Sequence, residues 1–282
     1  MLDFRFWGAP NKRITKETIA DYLEVAPKRI HFATTHKNAL RAVYDKSDVL
    51  AWFSLPFRDS IGPILDSVAG ISLLDKKSGS GVCFPAKDDA QLESIRSFMT
   101  KFNELVFLRD NLDLSVALSM NMKDDKSYTE IGECENQVKY HSQSHDTSKE
   151  LKKLAFELKT CLENLPYYDH ADFICAVPSS KPFMNDIISS IDGWSDRNIS
   201  AHVSWKNKIA DIKNEDDFAI KFEALERSGL EITGVDLKGK AVVLVDDMYK
   251  SGATMQFVAM KLKEFGARHV FGICLVKSLG NN

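Results

Sequence analysis

The stretch from Ala241 to Thr254 constrains this chain more than any other. Ala241-Val242-Val243-Leu244-Val245 is an unbroken apolar run rich in β-branched residues, the pattern of a strand covered on both faces in a parallel sheet. Asp246 and Asp247 follow at once. Adjacent carboxylates at the end of a buried strand repel each other, so the pair calls for a hydroxyl-bearing ligand, a metal or a lysine; Lys250 and Lys277 are candidates for the last role. Ser251-Gly252-Ala253-Thr254 then offer hydroxyls and backbone N–H groups open to close approach. Beyond them Phe257, Val258, Leu262 and Phe265 recur at helical spacing. The first N–H groups of such a helix, with the positive end of its dipole, face whatever the loop holds, which suits a phosphate. Gly266 ends the helix, and His269 to Val276 reads as the next buried strand.

Val243-Leu-Val-Asp-Asp-Met-Tyr-Lys-Ser-Gly-Ala-Thr254 resembles the phosphoribosyl pyrophosphate (PRPP) signature of type I phosphoribosyltransferases, and most closely the ComF-type branch, which often has Tyr after the Asp-Asp-apolar triplet. The resemblance implies that Asp246 and Asp247 bind the ribose 2′- and 3′-hydroxyls and that Lys250, Ser251, Gly252, Ala253 and Thr254 wrap the 5′-phosphate. Lys250 departs from the pattern, which usually has Thr or Ser there. It either adds charge to the phosphate or lies across the acids and marks a retired site.

The second half of the chain carries further parts of the resemblance. Phe173 to Val177 reads as a strand running into Pro178-Ser179-Ser180-Lys181, where backbone N–H groups, Ser179, Ser180 and Lys181 can form an anion nest. The family's pyrophosphate loop lies at this place; Val177-Pro178 and Phe183 to Asn185 keep its outline, with the basic stretch thinned to Lys181. Val138-Lys139-Tyr140 matches the segment that precedes the helix packed on the first core strand, which implies that Lys139 reaches the pyrophosphate. The polar segment 206–218, with Lys206, Lys208 and Lys213, stands where family members carry a mobile loop that closes over PRPP; a solvated surface loop is the equal alternative. His141 and His145 are four apart in a Ser/Gln/Asp-rich linker without a third ligand and read as loop. Thr147 and Glu150 match a capping box for a helix with Leu151, Leu154, Ala155, Leu158 and Leu162 on its buried stripe. Short helical segments are expected near 185–191 and 223–230, and an edge strand over 199–205.

With 282 residues the chain is long for one minimal nucleotide-binding unit, so an additional module is expected. A formal net charge of -3 gives no global attraction to nucleic acid or acidic membranes. Cys83, Cys134, Cys161, Cys175 and Cys274 lack metal-ligand spacing and read as reduced thiols. No leader pattern and no membrane-length apolar run is present, which predicts a cytoplasmic protein without a membrane partner. Thr15 is a candidate cap for a helix carrying Ile19, Tyr22 and Leu23. Ile30 to Ala33, Asn38 to Tyr44 and Val49 to Leu55 read as strand, helix, strand. The Lys-Lys-Ser-Gly-Ser-Gly turn at 76–81 joins two short strands in a hairpin, and Leu92 to Leu108 reads as a helix. The pair Lys28-Arg29 is a weak signal for nucleic acid and more commonly a solvated face.

These readings give an α/β fold with a parallel-sheet type I phosphoribosyltransferase core, residues 121–282, preceded by a smaller N-terminal α/β module, residues 1–120, acting as a hood or a partner-binding unit. The resemblance implies a transferase that binds Mg-PRPP and passes phosphoribosyl to a nitrogen nucleophile such as a nucleobase, with Mg²⁺ held mainly by substrate oxygens. Two other classes stay open: a non-catalytic sensor of PRPP or a related phosphoribosyl nucleotide, and a component of a DNA-uptake or phage-defence system. A protein or nucleic-acid partner through the N-terminal module and a homo-oligomer are likewise open.

Overall fold

The apolar run at Ala241 forms one strand of a six-stranded sheet against which most of the other elements pack. The computed structural model describes residues 4–44, 48–77, 79–142, 144–181, 183–207 and 217–280. In chain order, α1 (Lys16–Glu24) leads into β1 (Arg29–His31). A smaller unit follows: β2 (Leu40–Ala42), β3 (Ala51–Leu55), α2 (Ile61–Ala69), β4 (Leu74–Asp75), β5 (Val82–Ala86) and α3 (Asp89–Lys101). The chain then adds β6 (Val106–Leu108) and β7 (Leu114–Met120), α4 (Glu130–Asn136), a π-helical turn over Gln137–His141, α5 (Ser148–Asn164), β8 (Phe173–Ala176) and α6 (Phe183–Ser189). A ribbon of β9 (Val203–Trp205) and β10 (Leu230–Ile232) brackets α7 (Phe218–Ser228). Finally β11 (Ala241–Tyr249) and β12 (His269–Lys277) flank α8 (Ala253–Glu264).

The strand order of the large sheet is β1-β6-β7-β12-β11-β8. β8, β11, β12 and β7 are mutually parallel, whereas β6 is antiparallel to β7 and β1 to β6. The strands of this sheet after residue 120 are thus parallel, as expected for the core, and the sheet as a whole is mixed because β1 and β6, from the first 120 residues, add an antiparallel edge. The β6–β7 link, residues 109–113, is too short for the crossover that a parallel pair needs. All nine residues of β12 are buried, as its position between β7 and β11 requires. Val243, Val245, Ile273 and Leu275 pack with Leu154, Leu158 and Ile187 of α5 and α6. Val242, Leu244, Val270 and Cys274 pack with Phe257, Val258 and Leu262 of α8 and Ile19 of α1. Covered on both sides, the strand run had to be apolar throughout.

The second sheet, β2-β3-β5-β4, is antiparallel. Leu40 to Ala42 is strand rather than the expected helix, because these residues pair edge-on with β3 (Leu40 with Phe53, Ala42 with Ala51). The helix expected over Leu92 to Leu108 stops at Lys101, and Val106 to Leu108 turn back as a strand whose three residues are all buried. The hairpin of β4 and β5 forms as expected, and Thr15 caps α1 in a reciprocal pair with Thr18. Thr147 does not cap α5; Asp146 accepts the Ser148 N–H instead, at 3.0 Å. The expected division after residue 120 falls at the end of β7, and β1, β6 and β7 share the large sheet with β8, β11 and β12. All five cysteines are free thiols, and no helix among the described residues is long and apolar enough to cross a membrane.

Candidate functional site

β11 runs on past its apolar segment, through both aspartates to Tyr249. The Asp247 carboxylate meets the Lys139 ammonium at 2.7 Å, and the same ammonium lies 3.1 Å from Glu135. Glu135 and Lys139 are four apart on the continuous helix formed by α4 and the π turn, so they share one face. Burial opposes the Lys139 charge, but Asp247 and Glu135 outweigh it and hold the lysine pKa above its ordinary value. Burial raises Glu135 above the usual carboxylate range, against the pull of Lys139. Asp246 is pushed up to about 8, first by burial and then by the neighbouring Asp247. It also accepts the Asp247 N–H at 2.9 Å.

The loop after β8 reaches the same place. Lys181 donates from Nζ to the Lys139 carbonyl oxygen, and its ammonium sits 4.5 Å from the centre of the Tyr140 ring. The Lys139 ammonium lies 5.7 Å from the centre of that ring, and Tyr140 is 60% exposed. Ser179, Ser180 and Lys181 are exposed, and the Ser179 hydroxyl accepts the Lys181 N–H at 3.2 Å. The acid pair, Lys139 and Lys181 are thus linked in one cluster at the carboxyl ends of β11 and β8, where ligands of open α/β sheets bind.

The expected 5′-phosphate loop divides into two parts. Lys250 is exposed, Ser251 and Gly252 are partly buried, and α8 starts at Ala253, so Ala253 and Thr254 form its first turn. Gly252 caps the helix with φ +77°, and a Cβ there would come within 2.3 Å of the Tyr249 ring. Both the left-handed backbone and the ring beneath require glycine. The helix N–H groups open toward the loop, the arrangement that suits an anion.

Other expected residues lie elsewhere. Lys277 does not face the acids: its Nζ donates to the carbonyl oxygens of Ser278 and Gly280 at 2.7 and 2.8 Å. Burial, with Arg29 and Lys28 nearby, depresses its pKa to about 7. Lys206 belongs to the ribbon and pairs with Glu231 at 3.6 Å. Lys208 and Lys213 lie outside the described residues. Lys139 sits on the π-helical turn that follows α4. Sequence reasoning passed over Glu135, although its i,i+4 spacing to Lys139 is an available signal. It also passed over Asp110, which has no motif around it.

No protein-family model and no curated protein matches the chain. Among solved structures, a hypoxanthine-guanine phosphoribosyltransferase from Bacillus anthracis matches with a TM-score of 0.26 and 16% identity, over 46% of this chain and 65% of that one. The chain thus spans just under two thirds of that enzyme. A second structure of the same enzyme, with HEPES in its active site, gives a TM-score of 0.29 and 14% identity over 58% and 78%. Superpositions this loose support no residue-by-residue transfer, so the site is read from its own geometry. Among the described residues no group of three or more His, Cys, Asp or Glu is placed to hold a metal ion.

Proposed function

We propose that this chain binds Mg-PRPP at the ends of β8 and β11 and transfers its phosphoribosyl group to a nitrogen nucleophile such as a nucleobase. The observation that carries the reading is that Lys139 links the two strand ends: Lys181 after β8 reaches the Lys139 carbonyl while the Lys139 ammonium holds Asp247 of β11. Asp246 and Asp247 would accept the ribose hydroxyls. Ser251 to Thr254 would take the 5′-phosphate at the start of α8, with Lys250 exposed beside them. Ser179, Ser180, Lys181 and Lys139 would take the pyrophosphate. Mg²⁺ would arrive with the ligand, held by phosphate oxygens and water. In the reaction a nitrogen lone pair attacks ribose C1, the C1–O bond to pyrophosphate breaks, and the nitrogen's proton passes to solvent. Positive charge from Lys139 and Lys181 would stabilise the departing pyrophosphate.

A sensor without transfer chemistry is the second reading, favoured by the Lys139–Asp247 pair, which already neutralises one of the two acids. Calorimetric titration with PRPP and Mg²⁺, beside an Asp246→Asn/Asp247→Asn double variant, tests the shared part. Binding by the native protein that drops at least tenfold in the variant is expected. Failure of the native protein to bind would overturn both readings. Pyrophosphate release on adding a panel of nucleobases then separates transferase from sensor.

A further inference from the structure

Asp110 lies in the β6–β7 connection and is completely buried. Its Oδ2 accepts the Tyr249 hydroxyl at 3.0 Å and the Ser115 hydroxyl at 2.7 Å, and its Oδ1 accepts the Leu112 N–H at 3.0 Å. Three donors converging on one buried carboxylate are what a fixed anchor requires. Tyr249, the last residue of β11, is itself only 2% exposed. Its ring fills the space that a side chain at position 252 would occupy. Asp110 therefore holds the tyrosine by its hydroxyl, and the tyrosine supports the loop at Gly252 from below.

We propose that Asp110 and Tyr249 form a buried strut that fixes the Ser251–Thr254 loop in an anion-binding shape, making Asp110 a positioning residue for a phosphate-bearing ligand. The inference rests on the proposed PRPP site for its ligand, but the strut is a property of the loop and is measurable without one. An untethered tyrosine ring would move within its cavity and let Gly252 follow, so the N–H groups of the loop and the first turn of α8 would not stay convergent. Binding would then pay the cost of ordering them.

Tyr249→Phe tests this directly, because it keeps the ring carbons under Gly252 and removes the hydroxyl that bonds Asp110. Ser115→Ala is the control, since it removes a donor to the same carboxylate oxygen without touching the loop's support. Amide hydrogen exchange is expected to quicken at least tenfold at Gln256, whose N–H donates to the Gly252 carbonyl oxygen at 2.9 Å, in Tyr249→Phe, with β12 amides unchanged. In Ser115→Ala the Gln256 amide should exchange as in the native protein. Equal Gln256 exchange in all three proteins, or equal quickening in both variants, would overturn the strut. Titration with PRPP and Mg²⁺ gives the second arm: about tenfold weaker binding is expected for Tyr249→Phe. Native-like affinity in that variant would overturn the positioning role. If the native protein binds no PRPP while the exchange result holds, the strut stands and the proposed ligand falls.

Discussion

At Asp246 the fold disfavours the charge that a ribose-binding role would use. Burial, then the adjacent Asp247, raises its pKa to about 8, well above the ordinary aspartate value. A carboxyl whose folded pKa exceeds its unfolded one binds more protons in the native state between the two values. Its contribution to stability is therefore full below about pH 4 and is lost as pH rises through about 8. Asp246→Asn mimics the neutral form and removes that slope. Relative to the native protein, the variant should gain on the order of 2 kcal/mol in unfolding free energy between pH 4 and pH 8, allowing for partial exposure and screening. Urea denaturation at several pH values checks this, and parallel profiles for the two proteins would contradict it. The same electrostatics explain why Lys139 is held tightly: it is the cation paired with Asp247, and Glu135 sits on its other side.

At the level of elements, α4 is what brings Glu135 and Lys139 to the acid pair, and Gly132 sets its distance from the end of β7. A Cβ at Gly132 would lie 2.0 Å from the Asn121 carbonyl oxygen, a backbone atom with little freedom to yield. The helix entry is fixed there as well, because Thr129 accepts the Gly132 N–H at 3.0 Å. Gly132→Ala should push α4 outward, separate Lys139 from Asp247 and cost about 3 kcal/mol by chemical denaturation, at the upper end for overpacking. A variant as stable as the native protein would show that the approach is looser than described. This element also marks where sequence reading stopped. β11, α8 and β12 were legible because burial on both faces demands unbroken apolar runs, and the acids and small residues interrupt them abruptly. α4 was not: its buried stripe passes through Ile131, Cys134 and Val138 but also through Glu135, only 2% exposed. A charged residue at a core position hides helical periodicity, so the helix that carries Lys139 left no clear pattern in the sequence. Asp110 was equally hidden, since its role depends on Tyr249, far away in sequence.

On the scale of the whole molecule, the site depends on strands contributed from both sides of residue 120. β12 pairs with β7 from Phe271 opposite Leu114 to Lys277 opposite Met120, and with β11 on its other edge. Buried polar groups cross the same boundary. Asp113, with no exposed surface, accepts the Val270 N–H at 2.8 Å and pairs with Lys263 of α8 at 2.9 Å. Asp110 receives the Tyr249 hydroxyl. A fragment of residues 121–282 would bare one edge of β12, leave the Val270 N–H and the Lys263 ammonium without these partners, and strip the cover from apolar surface that β7 now buries. Each hydrogen bond lost to water costs roughly 0.5–1.5 kcal/mol and each large apolar side chain newly exposed about 1.5–3 kcal/mol, which together rival the roughly 5–15 kcal/mol stability of a typical domain. The fragment is therefore expected to unfold without a cooperative transition, followed by near-ultraviolet circular dichroism during urea titration, whereas the full chain should give a single sharp one. A sharp transition in the fragment, with dispersed amide resonances, would mean that the strands after residue 120 form a self-sufficient core and that β7 only extends it.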